Sequence, residues 1–186
     1  MRVFLFFHFS CHFSIVSLLL YCFFRTFALM KTVLLVVGKT TNPHFISSIE
    51  EYCQRLAHYT SFETDVIPEL RQTRSLSVSQ QKEQEGALIL GRIQPGDRVI
   101  LLDERGVERR SVDFASWLEK RMASGARRLL FVVGGPYGFS ESVYARADEK
   151  ISLSQMTLSH QMIRLLFVEQ LYRAFTILHN EPYHHE

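Results

Sequence analysis

The sequence predicts an α/β fold in which a mostly parallel sheet is covered by helices on both faces. Short continuous apolar runs, typical of strands buried on both faces, alternate along the chain with segments of helical periodicity. The chain has 186 residues, enough for one domain with a substantial core. Its composition, 47% apolar and 22% charged, excludes disordered and fibrous proteins, and three cysteines are too few for a disulfide scaffold.

Residues 1–29 differ sharply in composition from the rest of the chain. They contain two charged side chains, Arg2 and Arg25, and eight of the 15 phenylalanines. Their apolar run is about as long as a membrane span and also resembles a secretory signal, although it lacks a clean small-residue cleavage site. We favour a third interpretation, in which translation starts at Met30 and residues 1–29 are an artefact of start-site choice. The domain is then 30–186, cytoplasmic and without a membrane anchor unless residues 1–29 are real.

The first predicted strand is the apolar run 32–37, which ends at Gly38. A helix follows because Asn42 can cap it and Pro43 suits its first turn. Apolar side chains then recur at helical spacing at Phe45, Ile49, Tyr52, Cys53 and Leu56. We expect Cys53 to be a small buried apolar residue.

The second strand, Phe62–Ile67, is stopped by a proline, and the polar stretch Arg71–Gln80 predicts an exposed loop. A helix is expected from Ser79 to about Ile93. A Pro-Gly turn leads into the buried strand Arg98–Leu102, which the turn 103–106 closes.

The helix Ser111–Ala123 is predicted from its one apolar face, and the run Leu129–Val133 predicts a buried strand. The glycine-rich turn 134–138 follows. The last predicted elements are a short helix Glu141–Asp148, a short strand Ile151–Leu153, a long helix His160–Leu178 and a tail from Asn180 to Glu186.

Two loops at predicted strand ends are candidates for ligand binding. Glycines in the turn 134–138 would let main chain approach a ligand closely, although a simple tight turn explains them equally well. The turn is neither Gly-x-Gly-x-x-Gly nor a phosphate loop, which disfavours classical dinucleotide or triphosphate binding. The loop 153–158 would lie at the same sheet edge and hold an adenine by its amides; the alternative is a plain connection to the last helix.

The carboxyl-terminal region offers weaker signals. The apolar stripe of the final helix is most often core, and it would also suit a second subunit. Arg164 and Arg173 are expected elsewhere on the surface of this helix, where they could meet phosphates. The pair Tyr183 and His184 lies in a tail that would usually fray, yet it could fold over a pocket and move protons. No cysteine and histidine cluster has metal-ligand spacing.

An ordered set of motifs from Met30 to the end resembles the RlmH family of bacterial SPOUT-class methyltransferases of 23S ribosomal RNA. The motifs are Val36–Lys39, Gly134–Gly138, Leu153–Arg164, Val168–Phe175 and Glu181–His184. Ser159 departs from the family, which often has proline there, and residues 1–29 have no counterpart in it.

The resemblance implies a deep trefoil knot near the carboxyl end, S-adenosylmethionine as cofactor, and a homodimer joined through the last helix. It places cofactor binding at Leu102, Gly134, Leu153, Ser154, Gln155, Met156, Thr157 and Leu158. The implied substrate is N3 of a pseudouridine in 23S ribosomal RNA on an assembled ribosome. The net charge of +2 argues against holding RNA by bulk charge, so local arginines and shape would have to suffice.

Methylation at N3 requires removal of an imide proton, so a base or a relay is expected. Tyr183 and His184 are the candidates, with His160 as another, and Arg164 and Arg173 would bind RNA. Positioning alone could supply most of the acceleration. Two alternatives stay open: another nucleotide-binding α/β enzyme, and a ribosome-binding factor without catalysis.

Overall fold

The computed structural model describes residues 30–71 and 73–185. The chain alternates strand and helix throughout this part. Its elements in order are β1 (Lys31–Val37), α1 (Pro43–Leu56), β2 (Ser61–Ile67), α2 (Val78–Leu90), β3 (Asp97–Glu108), α3 (Ser111–Met122), β4 (Arg128–Val133), α4 (Glu141–Arg146), β5 (Glu149–Ser152) and α5 (Met162–Leu178).

The five strands form one sheet in the order β2-β1-β4-β3-β5, and every neighbouring pair is parallel. This confirms the predicted α/β class. Strand order reverses direction along the chain, since β2 is added on one side of β1 and β3 lies beyond β4 on the other. Ligands of open α/β sheets bind beyond the carboxyl ends of the strands at such a reversal.

Each face of the sheet has its own apolar core. On one face, Leu34, Ile100 and Phe131 pack with side chains of α1, α3 and α5 such as Leu118 and Phe167. On the other face, strand residues pack with Ile89 of α2 and Val143 of α4. The central strands are buried on both sides because successive residues point to opposite cores.

Several element boundaries differ from the predictions, and two of the differences have a clear structural cause. The stretch predicted as an exposed loop contains a 3₁₀ turn at Thr73–Ser75, and α2 already begins at Val78. The reason for the early start is a capping box: the hydroxyl of Ser77 accepts from the amide of Gln80, and the Gln80 side chain accepts from the amide of Ser77.

Strand β3 does not end at Leu102, as predicted, but continues to Glu108. Both Leu102 and Val107 pair with Ile151 of β5, so residues 103–106 form a bulge between the two registers. Gly106 lies so close to β5 that a Cβ there would stand 2.4 Å from the carbonyl carbon of Ile151. This close passage suits the trefoil knot, whose threading stays a prediction.

The interpretation of residues 1–29 lies outside the described residues. Among the helices that the structure describes, none is long and apolar enough to cross a membrane. Cys53 is half-buried against the core of α1 and α5, and burial together with the nearby Glu50 raises the pKa of its thiol to about 11. It is therefore a packing residue, close to what the sequence predicts.

Candidate functional site

A cleft of about 570 Å³ opens at the carboxyl edge of the sheet, where three loops meet. They are the bulge of β3 that begins after Leu102, the turn after β4 at Gly134 and the loop after β5 at Leu153. The volume is typical of sites for cofactor-sized molecules, about 300–1,000 Å³. The structure therefore brings together Leu102, Gly134 and Leu153, although Leu102 lies within β3 and not at its end.

The glycine turn forms one wall of the cleft. Its two ends are held by the amide of Gly138, which donates to the carbonyl of Gly135 at 3.1 Å. Gly138 has φ +82°, a conformation that side chains rarely adopt. A Cβ on Gly134 would stand 3.1 Å from the ring of Phe139, so a side chain there would crowd the wall.

The loop 153–158 forms the opposite wall and is ordered by serine side chains. The hydroxyl of Ser152 donates to the carbonyl of Ser154 at 2.8 Å, and the amide of Met156 donates to the hydroxyl of Ser154 at 2.9 Å. Five of the six predicted residues of this loop line the cleft: Leu153, Ser154, Met156, Thr157 and Leu158.

Two hydrogen bonds tie this loop to the extended part of β3. Gln155 does not line the cleft; its amide donates to Glu108 at 2.9 Å. The hydroxyl of Thr157 donates to Glu104 at 3.3 Å. The unpredicted extension of β3 therefore supports the loop both within the cleft, through Glu104, and outside it, through Glu108.

The cleft also contains charged and polar groups that the sequence analysis missed. The Tyr144 hydroxyl donates to Asp103 at 2.5 Å. Burial and this hydrogen bond raise the pKa of Tyr144, while Arg105 opposes the rise. Asp103 follows Leu102 directly, so its place at a strand end was the signal that could have found it.

Acidic and basic groups both line the cleft. Asp103, Glu104 and Glu141 supply carboxylates, and Lys82 and Arg105 supply cations. Apolar side chains such as Leu102 and Ile163 complete the surface. The cleft could thus hold a molecule with an apolar heterocycle and a cationic end. No group of three potential metal ligands occurs among residues 30–71 and 73–185.

Of the three predicted proton-transfer residues, only His160 lines this cleft. It is half-buried and stands just before α5. Its imidazole is a side chain that can act as a proton acceptor, which methylation at N3 requires.

Tyr183 lies instead on the surface formed by α1 and α5 of the same chain. Its hydroxyl is 3.2 Å from that of Tyr52 and donates to Glu169 at 3.1 Å. Arg173 lies over its ring at 4.6 Å and also pairs with Glu169 at 2.5 Å. Burial and the Tyr52 hydrogen bond raise the pKa of Tyr183. Neither Tyr183 nor the adjacent His184 lines the cleft of its own chain.

Arg164 is not on the surface, and that expectation is wrong. Only 2% of it is exposed, and its guanidinium donates to the carbonyls of Val37 at 2.7 Å and Gly38 at 2.9 Å. A further bond reaches the hydroxyl of Thr40 at 3.0 Å. Burial lowers its pKa, and Glu69 partly offsets this. Arg164 fastens α5 to the end of β1 and is not placed to touch RNA.

Comparison with known proteins identifies the relatives of this chain. The family described as "Predicted SPOUT methyltransferase" matches residues 30–184. Proteins named ribosomal RNA large subunit methyltransferase H match at 59% identity in Bacteroides fragilis and 60% in Phocaeicola vulgatus. Each of these matches extends over 157 residues, 84% of this chain and 100% of the relative. The relative of that name from Christiangramia forsetii is 56% identical over 156 residues, 84% of this chain and 99% of its own. These matches confirm the resemblance that the motifs indicate.

Proposed function

Because the chain belongs to the SPOUT methyltransferase family, we propose that it transfers the methyl group of S-adenosylmethionine to N3 of a pseudouridine in 23S ribosomal RNA. The observation that carries the proposal is the meeting of the β3 bulge with the loops after β4 and β5 around one cleft. The relatives' name supports ribosomal RNA of the large subunit as the substrate.

The residues of the cleft fit S-adenosylmethionine. Leu102, Leu153 and Leu158 offer apolar walls for the adenine, and the main chain at Gly134 can approach it without a side chain between. The cofactor has cationic sulfonium and ammonium groups, which carboxylates of the cleft such as Glu104 and Glu141 would attract. Gln155 would contribute through its main chain, since its side chain is bonded to Glu108.

Held by the residues of the cleft, S-adenosylmethionine would supply an electrophilic methyl carbon to N3, and the bond given up would be the one from that carbon to sulfur. The chain's task is to hold the base in line and to take the N3 proton. His160 is the residue of the cleft best suited to accept it, and the proton can then pass to solvent. Donors at the cleft would favour the anionic imide that develops.

Tyr183 and His184 would act in the cleft of a second subunit. In one chain their positions on the α1–α5 surface keep them out of its own cleft. A homodimer in which α5 packs against its copy would bring each tail to the partner's site. Half-buried apolar residues of α5, such as Leu165 and Leu166, provide area for such an interface.

The RNA would be bound as part of the assembled ribosome in the cytoplasm. Arg173 is half-buried and paired with Glu169, so it would reach phosphate only by exchanging that partner. Arg164 is left out of the RNA contacts because it is buried under the end of β1.

The test is mass spectrometry of 23S ribosomal RNA from cells with and without the gene. Loss of one methylated pseudouridine is expected on deletion, and an unchanged modification map would contradict the proposal. Complementation with the intact chain should restore the methyl group. Gly134→Val should not restore it, because its side chain would collide with Phe139, whereas Gly91→Ala, at the end of α2, should.

The RNA modification map, together with measurements of ribosome binding and nucleotide binding by the chain, separates the alternatives. A ribosome-binding factor without catalysis would bind ribosomes normally and leave the RNA map unchanged. Another nucleotide-binding enzyme would bind NAD, or a similar nucleotide, and not S-adenosylmethionine.

A further inference from the structure

Tyr137 differs from the other described tyrosines because its side chain has no aromatic, cationic or hydrogen-bond partner in the described part of the chain that would explain it as a structural residue. It stands at the tip of the glycine turn, is 51% exposed and lines the mouth of the cleft. Within residues 30–71 and 73–185 its ring has no aromatic, cationic or hydrogen-bond partner. Each of the other tyrosines in that part has at least one: Tyr52, Tyr59, Tyr144, Tyr172 and Tyr183. An exposed aromatic ring held at a cleft mouth is a surface for a flat ligand.

The turn that carries Tyr137 is fixed in shape. Gly135 and Gly138 form a bridge, with the Gly138 amide donating to the Gly135 carbonyl at 3.1 Å. Pro136 restricts the backbone just before Tyr137. The ring is therefore presented at low cost in conformational entropy, which favours binding by stacking.

Two cations that line the same cleft as Tyr137 are available to bind phosphates. Lys82 and Arg105 line the same cleft, and neither forms an ion pair with any residue in the described part of the chain. The cleft also has three carboxylates, Asp103, Glu104 and Glu141, and none of them forms an ion pair with Lys82 or Arg105; Asp103 accepts from Tyr144 and Glu104 from Thr157. By contrast, these cations of the described residues form ion pairs and do not line the cleft: Lys31, Arg55, Arg92, Arg98, Arg121, Arg128, Arg146 and Arg173.

More cations without ion pairs continue along this edge of the sheet. Lys39 follows β1, and Arg71 and Arg74 follow β2; all three are exposed. Carboxyl ends of parallel strands share one edge, so these cations lie on the side of the molecule on which the cleft opens. A ring for a base with cations for phosphates is the combination that proteins use for single-stranded RNA.

We infer that Tyr137 stacks on an unpaired nucleotide of the RNA substrate, next to the nucleotide held in the cleft, while Lys82 and Arg105 contact the flanking phosphates. This inference rests on the proposed function and adds how the substrate is positioned. Tyr137 is a substrate-binding residue that selects unstacked RNA.

The test measures binding of the full chain to ribosomes from cells that lack the gene, alongside its affinity for S-adenosylmethionine. Tyr137→Ala and Tyr137→Leu should each weaken ribosome binding about tenfold, the effect of one lost base stack. Tyr137→Trp should bind within about twofold of the parent, because it keeps an aromatic plane. Affinity for S-adenosylmethionine and thermal stability should not change in any of the three.

A salt series tests the phosphate contacts. Lys82→Ala should reduce the slope of log affinity against log salt by about one. Lys120→Ala, an exposed lysine of α3 outside the cleft, removes the same charge and should leave the slope unchanged.

Several outcomes would overturn the inference. If Tyr137→Leu binds ribosomes as tightly as Tyr137→Trp, the ring makes an apolar contact with a protein and not a base stack. If ribosome binding and affinity for S-adenosylmethionine fall together, the ring contacts the cofactor. Equal slopes for Lys82→Ala and Lys120→Ala would remove the phosphate contact. If the parent binds ribosomes without methylating them, the proposed function fails and the binding series still decides the role of Tyr137. No ribosome binding by the parent would overturn both.

Discussion

Glu149, the first residue of β5, is predicted to make the stability of the fold sensitive to acid. Its carboxylate accepts from Arg121 at 2.6 and 2.9 Å, from the Trp117 indole at 2.9 Å and from Arg98 at 3.0 Å. Desolvation alone would raise its pKa, but these hydrogen bonds outweigh it and lower the pKa from 4.5 to about 2. The folded state therefore holds this proton less tightly than the unfolded chain does.

A lowered carboxyl pKa stabilises the folded state above pH 4.5, and the contribution is lost as the pH falls from there toward 2. The difference corresponds to about 3 kcal/mol at roughly 1.4 kcal/mol per pH unit. The side chain is 17% exposed, and solvent screening reduces the expected value to about 2 kcal/mol. Glu149→Gln should therefore unfold about 2 kcal/mol more easily at pH 7, and this deficit should shrink by more than half at pH 3.

The assay is urea unfolding at pH 7 and pH 3, followed by tryptophan fluorescence. Trp117 is the single tryptophan of the sequence and contacts Glu149 directly, so its emission reports on this site. Glu119→Gln, an exposed carboxylate of α3, is the matched control and should match the parent at pH 7. Equal stability of the two variants at pH 7, or a deficit that does not shrink in acid, would refute the reasoning.

Three further predictions concern the site and its supports. Gly106→Ala should lower the free energy of unfolding by more than about 3 kcal/mol and abolish cofactor binding, because its Cβ would meet main chain of β5 at 2.4 Å. Gly91→Ala, whose Cβ meets nothing closer than 3.4 Å, should change neither property. Calorimetry and cofactor titration measure the two effects. Arg164→Met should lower the free energy of chemical unfolding by about 2–4 kcal/mol, because the carbonyls of Val37 and Gly38 lose their donor. Substitution of an exposed arginine, Arg74→Met, should lower it by less than about 0.5 kcal/mol. A similarly small loss for Arg164→Met would mean that water replaces the guanidinium. His160→Ala and His184→Ala should each lower kcat for methyl transfer to ribosomes by about 100-fold or more, while the affinity for the cofactor changes less than about threefold. If either variant keeps the parental kcat, that histidine takes no part in proton transfer.

The regular elements could be predicted because their signals are local. The strands 32–37 and 129–133 are short apolar runs, and the helix after Asn42 has a capping residue and a proline. The extension of β3 was missed because residues 103–108 are mostly polar and largely exposed, and only their pairing with β5 makes them a strand. That pairing is a contact between distant parts of the chain, which no local pattern encodes.

The candidate site was predictable where it depends on strand ends and unpredictable where it depends on side-chain direction. The loops at Gly134 and Leu153 follow from the position of strand ends at one edge. The burial of Arg164 was missed, although it shares a helical stripe with Phe167, Val168 and Leu171, all buried. A charge within an apolar stripe is the signal that could have found it, because such a charge must have buried partners.

The bond from Arg164 to the end of β1 also limits when the chain can fold. Its two partners are separated by 127 residues, so the first strand emerges from the ribosome long before the guanidinium that fastens it. At about 5–20 residues per second, synthesis of that interval takes on the order of ten seconds. During this delay the apolar surface of β1 lacks its covering helix α5, and contacts of such long range also slow folding after release. Strand β1 therefore stays without its covering helix until nearly the whole chain has been synthesised.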